Sequence, residues 1–199
     1  MHARRRELVA CGLALCLVGA QLLIKPQPDT REARAAAERA RRTRPWQART
    51  APGFELALRD GGAFRLSDET GRRIVILNFF TTSSEPCTRD LAELHRHVQQ
   101  LQRQGHPVVA VAINVQESAE IVDRYVNTLH IAMPIAIDAS GGVARAYEVT
   151  RFPTTVVMGA NGHVVLYHPD EIGNAASVFD TMLDAEFAAL AHVVPVKAR

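Results

Sequence analysis

One cysteine, Cys87, stands in the stretch "NFFTTSSEPCTRDLAELH", residues 78–95. A thiol does chemistry as a thiolate nucleophile or as half of a disulfide. Here it closes the run Ser84-Glu85-Pro86-Cys87. Proline suits the first turn of a helix, where its missing N–H is one that the helix start leaves unbonded. Backbone N–H groups and the helix dipole favour negative charge there, and so favour a thiolate. Glu85 opposes this by placing a negative charge beside the thiol. Two readings stand. In one, the small Ser84 leaves room for solvent at a reactive Cys87. In the other, the thiol is buried and inert, a small apolar group.

The remaining cysteines, Cys11 and Cys16, lie in an apolar N-terminal run, so the body offers Cys87 no disulfide partner. A metal cluster built on cysteines is excluded for the same reason. His95 and His97 are two apart and face different directions on a helix. No cofactor and no metal are expected. Gly61-Gly62 and Gly141-Gly142 read as turns, without the pattern of a phosphate loop.

The elements that position Cys87 follow from periodicity. "RRIVILNFF", ending at Phe80, is a nearly continuous apolar run and suits a strand buried on both faces. From Pro86, Leu91, Leu94, Val98 and Leu101 make a helical stripe that Gly105 stops. "PVVAVAIN" is a second buried strand. "ESAEIVDRYVNTLH" is a second helix, with Ile121, Val122, Tyr125, Val126 and Leu129 expected inward. "MPIAID" is short and extended, "SGGVARAYEV" a short helix, and "TTVVMG-ANG-HVVLYH" a hairpin. A helix over residues 171–190 closes the chain. Before all of these, "FELAL" and "AFRLS" flank the turn "RDGG" as a further hairpin. Strands alternating with helices imply an α/β fold with helices on both faces of a central sheet.

The 199 residues hold one ordinary domain and a tail, and 47% hydrophobic content is enough for a core. Residues 1–50 carry +7 and residues 51–199 carry −5. An acidic body argues against nucleic acid as a partner. The basic start "MHARRRE" and the apolar residues 8–24 read as a membrane anchor; the small residues of "VGA" also permit cleavage as a signal peptide. Residues 25–51 form a basic Ala/Arg-rich spacer that lacks core residues apart from Trp46, and residues 52–192 the globular domain.

The order of elements, "LNFFTTSSEPC" after a buried strand and "RFPTT" before the closing hairpin resemble a thioredoxin fold. The likeness is to the membrane-anchored TlpA/ResA-type thiol-disulfide oxidoreductases, whose active site reads N-F-W-A-x-W-C-x-P-C-R-x-E. Residues 78–87 fall in register with its first ten places, and Ser84 stands where the family has its first cysteine. The resemblance implies thiol-disulfide exchange with protein thiols or disulfides, an external thiol reductant, and an inner-membrane protein with its domain in the periplasm. If the anchor is cleaved, the domain is secreted there. It also implies that Cys87 holds the resolving position and Ser84 that of the missing attacker. Phe152, Pro153 and Thr154, with Glu85 and Pro86, are expected to receive the substrate, Pro153 through a cis peptide. A serine hydroxyl does not replace a thiolate without an adjacent base. Ser84 to Cys87 also match the last four places of the peroxiredoxin pattern P-x-x-x-[TS]-x-x-C, with Phe80 in place of its proline and Arg145 or Arg151 as candidates for an activating arginine. A one-cysteine peroxidase, or a peptide-binding module without turnover, are the alternatives.

Overall fold

The computed structural model describes residues 46–193. The anchor and most of the spacer lie outside the described residues. Among the described residues, no helix is long and apolar enough to cross a membrane.

The chain begins its regular structure with β1 (Glu55–Ala57) and β2 (Ala63–Arg65), which pair antiparallel as a small sheet of their own. A single turn, α1 (Leu66–Glu69), leads to β3 (Ile74–Phe80). Then come α2 (Glu85–Arg103), β4 (Val108–Val115), α3 (Ala119–Leu129), β5 (Ile135–Asp138) and α4 (Gly142–Ala146). The hairpin of β6 (Thr154–Met158) and β7 (Val164–His168) follows. A 3-10 turn (Ile172–Ala175) and α5 (Ala176–Val193) end the described chain. The five-stranded sheet has the order β5-β4-β3-β6-β7, with β3 parallel to β4 and antiparallel to β6. This is a thioredoxin fold with an additional N-terminal hairpin.

Every residue of the central strand β3 is buried. Alternation sends Ile74, Ile76 and Phe80 to the face covered by α2, α3 and α5. It sends Val75, Leu77 and Phe79 to the face that holds Tyr147 and Phe64. On α2, Cys87, Leu91, Leu94, Val98 and Leu101 are buried along one stripe, and Gly105 with φ 83° turns the chain away after it.

The packed body takes in more chain than the boundary at residue 52. Trp46 is 2% exposed and lies stacked on Tyr147 and Tyr167, with ring centroids 5.6 and 5.5 Å apart. Residues 48–51 run along β7: the Ala48 N–H donates to the Val164 carbonyl, and the Val164 N–H to the Arg49 carbonyl, both at 2.9 Å. At the other edge the Arg59 N–H donates to the Ile135 carbonyl of β5 (2.8 Å). Both sheet edges are thereby partly covered, which blunts strand addition by other chains. The aromatic sandwich was not legible in the sequence, because Tyr147 and Tyr167 lie 101 and 121 residues beyond Trp46. Ile121 departs from its expected inward placement: it is 40% exposed, while Val122 and Val126 carry the buried face of α3.

Candidate active site

Cys87 sits in the first turn of α2, which begins where β3 ends and a short loop, 81–84, turns the chain back. Ser84 is the N-cap residue with extended backbone, yet its side chain makes no capping hydrogen bond. Instead the Ser84 side chain and the Thr81 backbone act on the thiol and lower its pKa. They do not prevail. Burial is the larger effect and pushes the Cys87 thiol up, and the carboxylates of Asp90 and Glu117 add to the shift. Cys87 is fully buried and free. Its thiolate is therefore disfavoured both by lost hydration and by two acidic neighbours, despite the helix start.

Three polar groups unremarked in the sequence surround this turn on one side. Asp90, one helical turn beyond Cys87, is 2% exposed. Its carboxylate accepts from the Ile172 N–H (2.6 Å) and from Asn78 Nδ2 (2.8 Å). The same Asn78 nitrogen donates to Thr155 Oγ1 (3.0 Å). Burial raises the Asp90 carboxyl, against the hydrogen bonds from Ile172 and Asn78 and the nearby His168. Asn78 in an apolar strand was the available signal, since a buried amide needs a partner. Asp90, three residues after Cys87, shares its helix face.

On the other side, Glu117 organises the loop. Its carboxylate accepts from the Thr82 N–H (2.8 Å), the Thr82 hydroxyl (2.7 Å) and Asn114 Nδ2 (2.6 Å). Tyr125 of α3 stacks near Phe80, and its hydroxyl lies 2.8 Å from Thr88 Oγ1. These contacts hold α3 and the 81–84 loop over the thiol.

Glu85 is exposed and pairs with Arg89, whose guanidinium also engages Glu171 at 3.0 and 3.1 Å. The Phe152–Pro153 peptide is cis. Thr154 lies opposite Phe79 in the β3–β6 ladder, so Pro153 is carried to the end of β3 from which the Ser84 loop departs. Phe152 is half-buried, while Pro153 and Thr154 are buried, and Thr154 Oγ1 donates to the Arg151 carbonyl (2.8 Å). Neither candidate arginine acts on the thiol. Arg145 donates to the Ser140 carbonyl (2.9 Å), and Arg151 lies 3.7 Å from Asp170. Among the described residues, no group of three or more His, Cys, Asp or Glu could hold a metal.

The chain is 36% identical over 115 residues to the thiol-disulfide oxidoreductase ResA of Geobacillus thermodenitrificans, covering 58% of this chain and 64% of that protein. It is 34% identical over 115 residues to ResA of Bacillus subtilis, covering 58% and 63%. The match thus spans less than two thirds of these relatives' length. A Chlorobium tepidum structure assigned as the thiol:disulfide interchange protein DsbE superposes with a TM-score of 0.65. It is 23% identical and covers 71% of this chain and 97% of that one, a likeness of fold. Residues 48–167 match the model of the AhpC/TSA family, and the chain belongs to that family.

Proposed function

We propose that this chain is a thioredoxin-like module related to thiol-disulfide exchange that receives a thiol- or disulfide-bearing polypeptide at Ser84 and Pro153 without completing exchange. The observation that carries the reading is the burial of Cys87 under a raised pKa, with the acidic Asp90 and Glu117 acting on it and, among the described residues, no cation doing so. Exchange needs an accessible thiolate in line with a substrate disulfide. Ser84 occupies the place of the attacker and cannot supply one. The helix start with Ser84 and Pro86, and the half-buried Phe152 that precedes Pro153, remain as a receiving surface. In this proposal residues 8–24 anchor the chain in a bacterial inner membrane, residues 25–45 space the domain from it, and the domain faces the periplasm.

The one-cysteine peroxidase reading draws support from the Ser84 side chain acting on the Cys87 thiol. It is the weaker reading, because a peroxidatic thiolate needs a nearby positive charge, and both groups that act on this thiol by charge are acidic.

The test is an insulin-reduction assay with dithiothreitol. The unaltered chain is expected to match the uncatalysed rate, and Ser84→Cys to exceed it, since a thiol is then restored at the helix start. Robust turnover by the unaltered chain that Cys87→Ala abolishes would overturn the proposal in favour of a one-cysteine enzyme.

A further inference from the structure

We propose that the groove along α3 beside the Thr82 loop reads an acidic residue next to an apolar one in the partner polypeptide. This rests on the reading of the domain as a peptide-receiving module.

The groove is shallow and open to solvent, with a volume of about 420 Å³, and is lined by Thr82, Ile121, Arg124, Tyr125, Thr128 and Leu129. It opens on the surface next to the loop that carries Ser84, two residues beyond Thr82. Its apolar side is supplied by Ile121, Tyr125 and Leu129. Ile121 is one of only two large hydrophobic side chains exposed among the described residues. A β-branched side chain left in water beside an aromatic ring gains by being covered. The position also departs from the inward placement that the helical pattern calls for, so burial against its own core is not what keeps an apolar residue there.

Charge names the partner. Arg124 is exposed in the groove, and its guanidinium has no hydrogen-bond or ion-pair partner among the described residues. Its neighbour Asp123 is turned to Arg59, 3.5 Å away. Other arginines near the site are committed: Arg89 to Glu85 and Glu171, Arg151 to Asp170. A free guanidinium beside an apolar strip fits a carboxylate next to an aliphatic side chain. Because Glu117 fixes Thr82 through both its N–H and its hydroxyl, the groove stands at a set offset from Ser84. A peptide whose cysteine rests at Ser84 meets it with one spacing better than others.

Labelled peptides Gly-Cys-(Gly)n-Leu-Glu-Gly, with n from one to four and kept reduced, are titrated with the full chain and read by fluorescence anisotropy. One spacing is expected to bind best, and Leu-Lys in place of Leu-Glu to bind about fivefold more weakly, the scale of one exposed ion pair. Arg124→Glu is expected to reverse that preference, and Ile121→Asp to weaken both peptides. If the peptides bind, lose affinity with Ser84→Trp, and keep their Leu-Glu preference in Arg124→Glu, the groove assignment is wrong while the receiving-module reading stands. If no peptide binds at any spacing, both are wrong.

Discussion

Alkylation of Cys87 decides between the enzyme and module readings most directly. The perturbation is iodoacetamide, applied to a chain carrying Cys11→Ser and Cys16→Ser so that only Cys87 reports. A free cysteine with a pKa of about 8.5 is about one quarter thiolate at pH 8. Cys87, raised by burial and by Asp90 and Glu117, holds less. Its sulfur is also wholly covered, so reagent waits for a local opening of the α2 start away from the loop 81–84 and Tyr125. An opening that costs about 3 kcal/mol leaves the thiol exposed less than about 1% of the time. Full unfolding, at about 5–15 kcal/mol, sets the upper limit. The native chain is therefore expected to react at least about a hundredfold more slowly at pH 8 than the same chain in guanidinium. Mass spectrometry of quenched samples follows both rates. A native rate within tenfold of the denatured one would refute the argument, because it would mean the thiol is reached without opening the site.

Two further outcomes are expected. Asp90 keeps its proton in the folded chain at pH values where the unfolded chain has lost it, so its contribution to stability falls as pH rises from about 4 toward its raised folded value. Asp90→Asn removes that titration; the difference in unfolding free energy, variant minus unaltered chain, should rise with pH in denaturant titrations, and a flat difference would contradict the burial argument. Trp46→Ala empties the stack between Tyr147 and Tyr167 and should cost about 3–5 kcal/mol, as for other buried aromatics. Denaturant unfolding followed by circular dichroism measures it, and a loss under about 1 kcal/mol would return residues 46–51 to the spacer.

Much of the molecule follows from the sequence alone. The apolar run 74–80 is buried along its length because helices cover one face of its strand and the N-terminal segment, its hairpin and Tyr147 the other, leaving no solvent face. The stripe from Leu91 to Leu101 and the breaker Gly105 mark α2 through the 3.6-residue period and the left-handed turn that glycine tolerates. That the body carries a single cysteine, Cys87, with Ser84 three residues before it, is visible in the sequence itself, since side-chain identity needs no fold to be read. What the tertiary structure alone decided is the environment of the remaining thiol. Glu117 reaches Cys87 from the segment before α3, and Ile172 satisfies Asp90, the thiol's neighbour on α2, from 82 residues away. Burial, and with it the direction of each pKa, is a property of the assembled layers; no local pattern encodes how much water a side chain retains. The same holds for Ile121: the helical period placed it inward, and only the packing of α3 against α2 and the sheet shows that Val122 and Val126 fill that face and leave Ile121 at the surface.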